Sequence, residues 1–166
     1  MKPEATEHQL DVAMPTDREI VATRAFDASR ELVFDAFTKP ELVKRWMVGP
    51  DGWSLAVCDI DLRVGGAFRY VWRNDADGNE FVVSGVYTDI VRPERVAHTE
   101  KFDDPDYPGE SLETWTFDER DGVTTLTMTL LYESTEARNK ALELGVDQGI
   151  AAGHDHLDAL LAESRR

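Results

Sequence analysis

His98, Glu100 and Glu113 are the residues of this chain whose types and spacing suit acid–base chemistry. His98 and Glu100 stand two apart in a run, 95–102, that reads as a strand, so they share one face with Val96 and Phe102. In the run 111–118, Glu113 falls on the face of Trp115 and Phe117. If the intervening loop, Asp103 to Glu110 with Pro105 and Pro108, closes a symmetric hairpin, Glu100 and Glu113 become near neighbours. A carboxylate on an apolar face is costly unless it is paired or hydrated, and neighbouring carboxylates raise the pKa of one of them. Two readings stay open. The groups sit in water at a cavity mouth or find arginines, or they receive the polar end of a ligand. A catalytic role, with His98 and Glu100 or Glu113 as acid and base, requires the side chains to converge within hydrogen-bond reach.

Other chemistry is hard to find. No G-x-S-x-G, G-x-x-x-x-G-K-[ST] or H-E-x-x-H pattern occurs. His154 and His156 stand at i and i+2 on a predicted helix, do not face each other and cannot chelate together, so a surface role is expected for the His154-Asp155-His156 run. His8 lies in a polar N-terminal stretch, and Cys58, in the apolar run Leu55 to Ile60, reads as a packed small hydrophobe. No catalytic set, metal or cofactor is assigned.

The charge excludes several partners. Asp and Glu number 33 against 18 Lys and Arg, a formal charge of −15. Such a surface repels phosphate backbones and anionic membranes, so neither nucleic-acid binding nor membrane insertion is expected. A single cysteine forbids an intrachain disulfide, and residues 1–16 lack the apolar core of a secretory signal; a cytoplasmic location is the expectation.

These residues must be positioned by a small set of elements. Residues 1–16 read as a flexible tail and 17–163 as one domain. A strand near Arg18 to Ala25 precedes a helix capped by Ser29, and Pro40 opens a second short helix ending near Trp46. Runs near 53–61, 67–74, 80–91, 95–102, 111–118 and 123–132 read as strands joined at Gly65-Gly66, Asp77-Gly78, Pro93 and Asp121-Gly122. One long helix is predicted from Thr135 to about Ala162, capped by Ser134. This order predicts an α+β helix-grip fold: an antiparallel, curved sheet of six to seven strands around a long C-terminal helix.

Alternation assigns the faces. Phe68, Tyr70 and Trp72 share one side of their strand, Trp115 and Phe117 one side of theirs, and Leu126, Met128 and Leu130 oppose Thr125, Thr127 and Thr129. The 80–91 strand is apolar on both parities and stays ambiguous. Gly145, Gly149 and Gly153 form an i, i+4, i+8 stripe on the predicted helix, which implies either close approach to the sheet or missing volume for a guest.

The run Phe34-Asp35-Ala36-Phe37-Thr38-Lys39-Pro40-Glu41 with Arg45-Trp46 resembles the first two helices of the SRPBCC (START-like) superfamily. Asp59 to Phe68, Gly85 to Ile90, Pro93-Glu94-Arg95-Val96 and Gly145 to Gly149 resemble the activator of heat-shock protein 90 ATPase homologue family, over residues 17 to 162. The resemblance implies the helix-grip fold with a cavity between sheet and helix. Superfamily members bind lipids, hormones or polyketides, and some catalyse cyclisation or hydrolysis.

The leading expectation is a protein that binds a small apolar or amphipathic molecule. Phe68, Tyr70, Trp72, Trp115, Phe117, Met128 and Leu130 would form the sheet wall, and Gly145, Gly149 and Gly153 the helix wall. Trp46 and Trp53 would flank an entrance loop, with His98, Glu100 and Glu113 at the guest's polar end. One alternative is a cyclase- or hydrolase-type enzyme. Another is an interaction module, a chaperone partner or a homodimer, which predicts a large apolar patch on the outer sheet face.

Overall fold

The computed structural model describes residues 8–106 and 109–164, so residues 1–7 of the N-terminal stretch and Pro108 of the predicted loop lie outside the described residues. The elements run β1 (Asp11–Ala13), β2 (Glu19–Phe26), α1 (Arg30–Thr38), α2 (Pro40–Trp46), β3 (Trp53–Ile60), β4 (Ala67–Asn74), β5 (Glu80–Val91), β6 (Arg95–Phe102), β7 (Glu110–Arg120), β8 (Val123–Leu131), α3 (Thr135–Glu143) and α4 (Val146–Ser164). The strands form one antiparallel sheet in the order β1-β2-β8-β7-β6-β5-β4-β3. From β3 to β8 each strand pairs with the next in sequence, as tight turns require; β2 closes the row against β8.

The eighth strand is β1, three exposed residues that pair with β2 through Val12 and Ala22. No alternation long enough to signal a strand exists there, because three residues at an edge need no buried face. The helix caps follow the sequence: the Ser29 hydroxyl accepts from Leu32 N at 3.3 Å and the Ser134 hydroxyl from Ala137 N at 3.0 Å. Pro40 stands in the first turn of α2, where its missing N–H leaves no bond unmade.

The predicted continuous helix is two helices. Gly145 has φ +85°, a left-handed conformation that ends α3 and reorients the chain into α4. The Leu144 N–H reaches Lys140 O and the Gly145 N–H reaches Leu142 O, so the end of α3 is satisfied locally. Periodicity misses this joint because apolar residues recur on both sides of it.

Helix α4 turns His154, Leu157, Leu160 and Leu161 inward and packs against α1, α2, α3 and β2. The core beneath it holds Phe26, Phe34, Phe37, Trp46 and Phe117. His154 is therefore a buried residue, 2% exposed, and the expected surface role is overturned for it while His156 is exposed. The i, i+2 spacing that prevents joint chelation also sends the two rings to opposite environments. Burial, reinforced by the nearby Arg24 charge, lowers the His154 pKa to about 3, so the ring is neutral.

The outer face is polar. Thr114, Thr116, Thr127 and Thr129 form cross-strand pairs between β7 and β8, and Thr23 of β2 pairs with Thr127. Single exposed apolar residues, Val86 and Leu112, interrupt it.

Candidate functional site

The site is built on β4 to β7. Register places Glu113 directly opposite His98, Trp115 opposite Val96 and Tyr87 opposite His98 on the other side. Phe68 lies opposite Gly85. A Cβ on Gly85 would come within 2.6 Å of the Phe68 ring and closer still to the Thr99 carbonyl. The missing side chain therefore lets Phe68 lie flat over β5.

The result is a ring-lined wall around one imidazole. His98 sits edge-on to Phe68 and to Trp115, each at 4.8 Å between centroids, and 6.0 Å from Tyr87. Tyr70 extends the cluster at 5.0 Å from Phe68. Within the wall, His98 and Glu113 are almost wholly buried. Glu100 is half-buried as a residue, yet its carboxyl end is withdrawn from water.

Hydrogen bonds fix two of the three polar groups. His98 Nδ1 lies 3.0 Å from the Thr99 carbonyl, which can only accept, so Nδ1 carries the proton. Its Nε2 has no hydrogen-bond partner and faces Glu113 Oε2 at 3.8 Å. The Trp115 indole donates to Glu113 Oε1 at 3.0 Å. Burial, the adjacent Glu113 charge and a hydrogen bond with Glu113 push the Glu100 carboxyl well above the usual carboxylate range. Burial also raises the Tyr70 and Tyr87 phenols, so both stay neutral. The Tyr87 hydroxyl lacks a well-formed hydrogen bond, although Tyr70 is near enough to act on it.

The structure thus brings together His98, Glu100, Glu113, Phe68, Tyr70 and Trp115, with Leu130 and Met128 alongside on β8. It leaves other expected wall residues elsewhere. Phe117 packs on Phe34 and Phe37 under α1. Trp46 is buried with its indole donating to Ala36 O at 2.8 Å, and contacts Phe37 and His154, so it is fixed in the core and flanks no gate. Trp53 opens β3 half-buried beside Gly49. The glycine stripe does not form a helix wall. Gly145 lies outside α4, a Cβ on exposed Gly149 would touch nothing within 4 Å, and a Cβ on Gly153 would stand in ordinary contact with the Trp46 ring at 3.6 Å.

Two residues enter that sequence reasoning did not assign, Tyr87 and Phe81, beside Phe102 on the face of His98 and Glu100. Trp72, Phe81 and Phe102 form a half-buried row with centroids 5.7 and 5.2 Å apart, and the Trp72 indole donates to Met47 O. Both parities of β5 are apolar, so alternation alone misses Phe81 and Tyr87; pairing with the clearly amphipathic β4 assigns them inward. Two open depressions, about 540 and 180 Å³, are lined by residues such as Arg69, Ser84, Val86 and Lys101, and Arg18, Glu110, Leu112 and Glu133. Neither is lined by any residue of α4.

The family model for Activator of Hsp90 ATPase homolog 1-like protein matches residues 27–162. The chain belongs to this family. The Hsp90-activator-homologue fold recurs in a Rhodobacter sphaeroides crystal structure, 26% identical, with a TM-score of 0.87 over 93% of this chain and 99% of that one. The Mycobacterium smegmatis protein Ms6760 is 28% identical, with a TM-score of 0.79 over 91% and 95% of the two chains. A family member from Silicibacter pomeroyi, 24% identical, shares the fold at a TM-score of 0.71 over 88% and 99%. Comparison with curated proteins finds no match. Among the described residues no helix is long and apolar enough to cross a membrane.

Proposed function

We propose that this family member binds a small amphipathic molecule at the inner face of β4 to β7. The apolar body lies along Trp72, Phe81 and Phe102, and the polar end meets Glu100, Glu113 and His98. The observation that carries the reading is the half-buried ring row ending two residues from a buried, incompletely partnered polar cluster. Aromatic rings beside a few convergent polar groups are the usual make-up of a ligand site. The rings of the wall pack on one another, so a guest enters by displacing half-buried edges rather than filling an enclosed chamber.

Native mass spectrometry and Nile red fluorescence test this. One equivalent of probe bound by the folded chain, and weakened by Phe81→Ser, is the expected result. No uptake by folded protein overturns the proposal.

A second reading rests on the 3.8 Å approach of His98 to Glu113 beside the Glu100 carboxyl, whose pKa burial raises. A carboxyl pKa raised by burial moves in the direction a general acid needs, which fits a cyclase or hydrolase. Turnover abolished by Glu100→Gln, with probe binding retained, would favour it over simple binding.

A further inference from the structure

Three potential metal-ligand atoms converge at one point of the sheet. The available donor atoms of His98, Glu100 and Glu113 all lie within 4.8 Å of one another. The His98 tautomer set by Thr99 O aims a lone pair from Nε2 at a carboxylate oxygen, and that nitrogen has no hydrogen-bond partner. A cation between these atoms would satisfy the unpartnered nitrogen and the carboxylate oxygen together.

We propose that His98 Nε2, Glu113 Oε2 and a Glu100 carboxylate oxygen bind a first-row divalent cation of the zinc class.

Geometry supports the assignment. His98 and Glu100 project from one face of β6 and Glu113 from the opposed position of β7, so rigid strands supply all three ligands. Ligand atoms around Zn²⁺, with bonds of about 2.0–2.2 Å, stand roughly 3.3–3.6 Å apart. The present spacing closes by small side-chain rotations. Outer contacts are also in place. The Nδ1–H bond to Thr99 O holds the imidazole with Nε2 outward, and the Trp115 indole holds Glu113 Oε1, leaving Oε2 to the metal. Metal binding would release any proton held between the carboxyls to solvent, and two carboxylates and a dication then sum to zero charge, which suits a buried site. Three protein ligands leave a fourth position for water or a ligand atom, on the side of half-buried Glu100. The mixed nitrogen and oxygen set favours zinc-class ions over Ca²⁺ and Mg²⁺.

This goes beyond the amphipath reading and does not need it. The test uses the full chain treated with EDTA and dialysed, then titrated with Zn²⁺ by calorimetry and with Co²⁺ by visible absorption. One equivalent is expected, with Co²⁺ bands typical of a four- or five-coordinate site. His98→Ala and Glu113→Gln should each weaken binding by more than about 100-fold, and Trp115→Phe by about 10–100-fold. His156→Ala, at an exposed histidine, should change nothing. Circular dichroism confirms that each variant is folded; Glu113→Gln conserves shape and stands in if His98→Ala unfolds. Binding that survives Glu113→Gln, or is lost in His156→Ala, overturns the site, as does the absence of Co²⁺ bands. Nile red uptake by the EDTA-treated chain is read separately, so the metal site and the amphipath site fail independently.

Discussion

His154 makes the fold sensitive to mild acid. Its ring packs edge-on to Phe26 at 5.4 Å and lies within 6.3 Å of Phe37 and Trp46, and its Nδ1 has no hydrogen-bond partner. Protonation would bury a cation beside Arg24, which is itself 7% exposed. Burial and that neighbour hold the pKa near 3 against an ordinary 6.5. A base whose folded pKa is depressed leaves the fold at full stability above the unfolded value and removes stability as pH falls toward the folded one. The loss therefore begins near pH 6.5 and is complete near pH 3. At about 1.4 kcal/mol per unit it reaches about 2 kcal/mol at pH 5. His154→Leu removes the titration and keeps an apolar side chain in place. Urea midpoints of both proteins, measured from pH 7.5 to 4.5, give the comparison. With a slope of about 2 kcal/mol/M, the wild type should lose about 1 M relative to the variant between pH 7.5 and 5. Glu100 acts in the opposite sense: its raised pKa adds stability at low pH that is lost as pH rises through the folded value. It is present in both proteins and cancels in the difference. Parallel curves would refute a buried, neutral His154.

Two glycines of the former stripe should respond with opposite signs. Gly149→Ala, in open space on α4, should stabilise by about 0.5–1 kcal/mol, whereas Gly145→Ala, at φ +85°, should cost about 1–2 kcal/mol; thermal denaturation reads both. Burial raises the Cys58 thiol to about 11, so alkylation at pH 8 should be slow in native protein and fast in urea, and rapid native labelling would show the thiol to be accessible.

Most of the architecture is legible because its signals are local. Ser29, Pro40 and Ser134 mark helix starts by backbone chemistry that needs no partner, and the alternation of Phe68, Tyr70, Trp115 and Phe117 gives the inner face directly. The neighbourhood of Glu100 and Glu113 follows from hairpin symmetry, which the β6–β7 register bears out. What stays hidden depends on three-dimensional context. A glycine inside an apolar period reads equally as helix interior or helix end, and only the backbone angle at Gly145 decides. His154 shows the same limit, because a polar residue on a helix looks like surface until the elements around it are placed. The half-buried position of Phe81 depends on how β4 and β5 pair, and residue type does not carry that information.

The threonine-paired outer side of the sheet has a consequence for how the sequence can drift. Threonine and valine have nearly the same shape, so exchanging one for the other there leaves the strand geometry and the interior untouched. Each exchange nevertheless swaps a hydrated hydroxyl for a methyl group on a broad face that no helix covers. The first replacements should pass unnoticed in a melting curve. Several together would join Val86 and Leu112 into a continuous adhesive surface, and the penalty would appear as precipitation at high concentration, with the chain still correctly folded.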